Sequence, residues 1–127
     1  MNKLLLGLFM LLVFASCQIE EGKGGRATIQ GKVFVDDFNQ EGMLIVSDYV
    51  GDWDVFIIYG DSGVVDDATV TNFDGSYEFE YLYEGNYTVY AYSKCNSCAN
   101  NIEPISLDVE ITEADQVLVL PDLKVVD

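Results

Sequence analysis

The chain predicts an all-β domain, a seven-stranded antiparallel β-sandwich, and three observations carry that expectation. From Ala27 onward apolar and polar residues alternate with a period of two; glycine, aspartate and asparagine interrupt the alternation at short intervals; and no stretch sustains a helical period. Short strands at this spacing point to two packed sheets.

The elements follow in order. Ile29, Val33 and Val35 face one way and Gln30, Lys32 and Phe34 the other, which gives a first strand over residues 28–35. Residues 36–42 form a polar loop. Residues 43–47 are a short apolar run to which the pattern assigns no element, and 48–52 are rich in turn formers. A strand over 54–59 directs Val55, Ile57 and Tyr59 inward. After a loop at 60–67 come residues 68–71, the turn Asn72-Phe73-Asp74-Gly75 and a strand over 76–81. Asp-Gly marks a hairpin because both residues tolerate positive φ. Tyr77, Phe79 and Tyr81 alternate with Glu78 and Glu80, so one face is expected to be packed and the other wet. Glu84-Gly85-Asn86 turns the chain into a strand over 87–93, with Tyr87, Val89 and Ala91 on one face. Residues 105–111 and 117–126 supply the last strands, and Pro121 marks an edge position or a bulge.

The run from Ala68 to Phe79, Ala-Thr-Val-Thr-Asn-Phe-Asp-Gly-Ser-Tyr-Glu-Phe, followed by Leu82 and then Gly85-Asn86-Tyr87-Thr88-Val89, resembles the carboxypeptidase regulatory-like domain, a transthyretin-like sandwich. Gly31-Lys32-Val33 and Val55-Phe56-Ile57 sit where that family has its first two strands, so the likeness spans nearly all of the chain from residue 27. The resemblance implies a non-catalytic accessory, folding or interaction module of extracellular or membrane-associated proteins.

The first residues have a separate purpose. Asn2 and Lys3 make a short polar, positively charged start, residues 4–14 are almost unbrokenly apolar, and Ala15 and Ser16 precede Cys17. That is the layout of an export signal. The run falls short of the roughly 20 apolar residues that a membrane-spanning helix needs. Phe14-Ala15-Ser16-Cys17 resembles the lipobox of bacterial lipoproteins, which implies that residues 1–16 are cleaved and that Cys17 is acylated. Several acyl chains on one residue anchor firmly, whereas one chain binds only marginally. Residues 17–26, polar and rich in glycine, are expected to be a flexible tether before a single domain at 27–127. Glu20 and Glu21 just after the cysteine resemble the export signal of Bacteroidetes surface lipoproteins. Outer-membrane anchoring with exposure at the cell surface is the expectation, and the periplasmic face is the alternative.

Composition narrows the function. Without Lys3 the chain sets 22 acidic residues against five basic ones, an excess of seventeen negative charges. Such a surface repels phosphate backbones, so nucleic acid is excluded as a partner; basic protein surfaces, cations and neutral glycans are the compatible ones. There is no histidine. The commonest general base and metal ligand are therefore missing, and no enzyme is expected. Cys95 and Cys98 are an even pair in an exported chain, and a bridge, free thiols, and a metal or redox site are the three readings. The bridge is favoured, since zinc would need two more ligands from carboxylates alone.

Two constellations stand out from the solvated background. Asp37, Asn39, Glu41, Gly42 and Asp48 fall at positions one, three, five, six and twelve of a calcium loop of the EF-hand kind, where oxygen donors suit an ion that takes six to eight of them. Calcium is the only cofactor the residues suggest. Trp53, Tyr90 and Tyr92, with Tyr49 and Tyr83 nearby in sequence, are candidates for a neutral-glycan platform, ring faces stacking on sugar. The expected function is that of a lipid-anchored interaction module, an accessory subunit of an outer-membrane protein complex; a surface glycan-binding lipoprotein, with or without calcium, is the alternative.

Overall fold

The structure, a computed structural model, describes residues 19–127; the expected export signal and Cys17 lie outside the described residues. Each segment expected to be extended contains strand, the last of them interrupted at 120–122, and the described chain is all β. Its strands are β1 (Lys23–Phe38), β2 (Leu44–Tyr49), β3 (Asp54–Tyr59), β4 (Asp67–Val70), β5 (Ser76–Leu82), β6 (Gly85–Lys94), β7 (Ile102–Ile111), β8 (Val117–Val119) and β9 (Leu123–Val126). They form two sheets. One has the order β4-β3-β6-β7, all antiparallel. The other is built around the long β1, with β5 and β2 on one flank and β8 and β9 on the other.

The two inner faces share one core. Ile29, Val33 and Val35 of β1, Val55 and Ile57 of β3, Tyr77 and Phe79 of β5, Tyr87, Val89 and Ala91 of β6, and Leu123 and Val125 of β9 are all buried in it. Full burial of one such aliphatic side chain contributes roughly 1.5–3 kcal/mol. The period-two reading of β1, β3 and β6 therefore selects the correct inward residues.

Four differences from the sequence expectation have physical causes. Nine strands are present among the described residues rather than seven, because residues 44–49 pair with β1 and because Pro121, which has no N–H to give, splits the last strand in two. The arrangement is mixed rather than antiparallel, since β8 and β9 run parallel to β1. Tyr81, expected inward with Tyr77 and Phe79, is 66% exposed. It adopts φ of 61°, an extra residue in β5 where the register against β1 slips, and Leu82 takes the inward place.

The fourth difference concerns the tether. β1 starts at Lys23, so the second half of the stretch 17–26 belongs to the domain. Gly22 donates its N–H to the Tyr87 hydroxyl at 2.9 Å and accepts from the Tyr83 N–H at 2.9 Å. A side chain at Gly25 would run into the Leu82 carbonyl, so this glycine permits close approach of two backbones rather than flexibility. Lys23 and Arg26 are paired with Asp67 and Asp115 at 3.1 and 2.9 Å.

Candidate functional site

The hairpin of β1 and β2 forms one end of its sheet, with β9 and Asp127 along the other flank of β1 as far as Phe38. Asn39 closes it: its side-chain oxygen accepts from the backbone N–H groups of Glu41 and Met43 at 3.0 and 2.9 Å. β2 pairs with β1 only, from Phe34 opposite Tyr49 to Phe38 opposite Leu44, with a bulge at Ile45. Every residue of β2 is exposed, on both of its faces. Met43, Leu44, Ile45 and Val46 are 65, 53, 57 and 46% exposed, and Phe38 beside them is also open to solvent. This run is the apolar segment to which the sequence pattern assigned no element. Exposed apolar residues clustered in this way are a candidate interaction surface.

The same hairpin governs the calcium expectation. Asp37 is opposite Val46 and Asp48 is opposite Val35, so the two carboxylates belong to paired strands and not to one loop wrapped around an ion. Asn39 spends its side-chain oxygen on the turn. Among the described residues, the one cluster of three acid or thiol side chains close enough to share an ion is Cys95, Cys98 and Glu103, to which Asp37, Glu41 and Asp48 do not belong. EF-hand spacing along the sequence is converted here into a strand, a tight turn and a second strand, and the donors are spread along it.

Cys95 and Cys98 are bonded to each other, with Cα atoms 5.5 Å apart. They close the loop joining β6 to β7, where the Cys95 N–H donates to the Asn101 carbonyl and the Asn101 N–H to the Cys98 carbonyl. Both sulfurs are consumed, so the cluster with Glu103 has no thiolate to offer a metal.

The aromatic residues divide between faces. Trp53 points with Val55 and packs against the core, so it cannot join Tyr90 and Tyr92 on the outer face of its sheet. Their neighbour is Phe56, which the sequence reading overlooked although it alternates with the inward Val55 and Ile57. Phe56 stacks on Tyr90 with centroids 5.2 Å apart, and Tyr92 meets Phe56 and Tyr90 edge-on at 5.7 and 5.6 Å. Tyr90 is covered, only 8% exposed, whereas Tyr92 is 41% exposed. Burial, reinforced by a hydrogen bond with Tyr92, raises the Tyr90 hydroxyl above the usual phenol range. Tyr49 lies across the outer face of the other sheet, donating to Asp122 at 2.9 Å with the Lys32 ammonium over its ring. Tyr83 is at Gly24, at the opposite end of β1 from the hairpin.

Charge is uneven as well. Residues 33–50, which contain the hairpin, hold Asp36, Asp37, Glu41 and Asp48 and no lysine or arginine. No helix among the described residues is long and apolar enough to cross a membrane.

No protein-family model and no curated protein matches the chain. A solved structure from Pseudomonas aeruginosa, described as a "putative carbohydrate binding protein", aligns with 79% of this chain and 90% of its own at a TM-score of 0.48 and 12% identity.

Proposed function

We propose that this chain is a non-catalytic, lipid-anchored lipoprotein of the cell envelope, whose sandwich is of the carboxypeptidase regulatory-like or transthyretin-like type and docks on another envelope protein as an accessory subunit of an outer-membrane complex. The observation that carries the docking is β2, six residues exposed on both faces and joined to the domain through β1. Uncovering such a strand costs solubility, and a partner that covers it removes the cost. The lipobox-like Phe14-Ala15-Ser16-Cys17 supports the anchor, and Glu20 and Glu21 support delivery to the outer surface. The lack of histidine, together with two cysteines tied in a bridge, supports a module without chemistry of its own.

The rival function, glycan binding, is favoured by the outer cluster of Phe56, Tyr90 and Tyr92. It is the weaker reading because stacking on a sugar needs free ring faces: Tyr90 is covered, Trp53 packs against the core, and Tyr92 is left as the one exposed ring of the three that the sequence suggests.

The test is recovery of the tagged, lipidated protein from membranes solubilised in mild detergent. Docking predicts a second protein retained in stoichiometric amount through washing. Recovery of the lipoprotein alone, with retention on an immobilised neutral glycan, overturns docking in favour of the rival.

A further inference from the structure

We infer that β2 takes up an extended segment of its partner as an added strand, and that this segment carries lysine or arginine among β-branched apolar residues. The inference rests on the docking reading and names its surface and the chemistry of what binds there.

The backbone groups of β2 divide between β1 and solvent. The Asp36 carbonyl and the Phe38 N–H are both engaged with Asp127, on the flank of β1 that carries β9. Strand alternation then turns Val35 and Asp37 toward β2, where they face Asp48 and Val46. Ser47, between those two, directs its N–H and carbonyl away from β1, at an edge with no strand beside it among the described residues.

Other free edges are blunted in the ways proteins use to prevent strand addition. β4 and β8 are four and three residues long. β5 carries Glu78 and Glu80, and β7 carries Pro104 with Glu103, Asp108 and Glu110. β2 has six residues, Leu-Ile-Val-Ser-Asp-Tyr, with no proline and no lysine; its bulge at Ile45 and the Asp48 carboxylate, which takes the Tyr49 N–H, confine the open backbone to the stretch around Ser47. Main-chain hydrogen bonds to such an edge supply affinity, and alternate side chains supply selectivity.

Charge chooses the occupant. The hairpin itself carries Asp36, Asp37, Glu41 and Asp48 and no basic residue between 33 and 50; of the lysines beside it, Lys32 lies over the Tyr49 ring and Lys94 is paired with Asp127, so the acidic charge is in excess. A second copy would bring an identical set of carboxylates against these four, on top of an excess of seventeen negative charges per chain, whereas a basic segment neutralises them. The occupant is therefore a basic segment of another protein rather than this chain's twin.

The experiment uses short random peptides displayed on phage, panned against the lipidated protein in detergent. Enrichment of lysine or arginine alternating with valine, isoleucine or threonine is expected, and the best peptide, made synthetically with a dye, serves as the binding probe. Ser47→Pro removes the outward N–H and keeps the backbone bonds to β1, as proline at an edge allows; the hydroxyl's bond to Asp36 at 2.7 Å is lost as well, a loss that Ser47→Ala shares and so controls for. It should weaken the probe by about tenfold, the loss expected for one or two backbone hydrogen bonds, while the melting temperature holds. Ser47→Ala, which keeps the N–H, should bind as the native protein does. Glu41→Lys combined with Asp48→Lys should abolish selection of basic peptides and checks the proposal should Ser47→Pro fail to fold. A peptide pool without basic excess, a probe indifferent to Ser47→Pro, or a native protein that dimerises through β2 in sedimentation overturns the inference. If the native and Ser47→Pro proteins retain the same partner from membranes, docking stands and its assignment to β2 falls; if neither retains one, docking itself falls.

Discussion

Gly75→Val is expected to lower the melting temperature by roughly 10–20 °C, while Glu78→Gln leaves it nearly unchanged, as followed by circular dichroism. Gly75 has φ of 83°, in the left-handed region that a β-branched residue enters only with strain. It also sits where β1 passes from β5 to β2: its carbonyl accepts the Val33 N–H at 2.9 Å, and its own N–H donates to Asn72. A Cβ there would lie 2.8 Å from the Tyr49 Cβ and 2.9 Å from the Val33 carbonyl oxygen, and backbone cannot step aside as a flexible side chain would. Strain and overpacking together come to about 2–4 kcal/mol, a large share of the roughly 5–15 kcal/mol that holds a small domain together. Glu78 is exposed on the outer face, hydrogen-bonded to Glu80, and that contact holds its carboxyl above the usual range. Replacing it by Gln removes a like-charge neighbour, and surface changes of this kind stay within about 0.5 kcal/mol. Equal melting temperatures for the two variants would contradict the hairpin at Asp74-Gly75.

Cys17→Ala should abolish acylation altogether and leave an uncleaved precursor of higher mass. Metabolic labelling with an alkyne fatty acid gives the readout: the native protein takes up label and the variant takes up none. The effect is all or nothing because the thiol is the only acceptor that the lipobox-like sequence offers, and membrane retention depends on the acyl chains together. Label and processing unchanged in the variant would sink the lipoprotein proposal, whatever the fate of the domain.

The elements best read from sequence are those whose signals are local. Alternation over β3 and β6 and the Asp-Gly turn each act within a few residues, so inward faces and the position of Gly75 were legible before any fold was known. What escaped depends on register between distant segments. Tyr81 obeys its period-two pattern yet faces solvent, because a bulge against β1 resets the pattern by one residue. Gly22, Gly24 and Gly25 have the composition of a linker, but their closeness to Tyr59, Tyr83 and Leu82 makes them a packing surface. Phe56 joins Tyr90 only through the pairing of β3 with β6, which no spacing reveals. Trp53 is separated from those rings by the parity of a single strand. β2 went unassigned for a different reason: both of its faces are exposed, so its apolar run lacks the alternation that a half-buried strand shows.

The central claim, that this anchored domain docks through β2, is tested most directly inside the cell. A photoreactive phenylalanine analogue placed at Ile45, exposed on β2, and separately at Glu110, exposed on the outer face of β7, reports what lies within reach of each when cells are irradiated. A discrete cross-linked adduct to one envelope protein from position 45, absent from position 110 and lost when Ser47→Pro is added, is the predicted result. No adduct from position 45, or the same adduct from both positions, would contradict it.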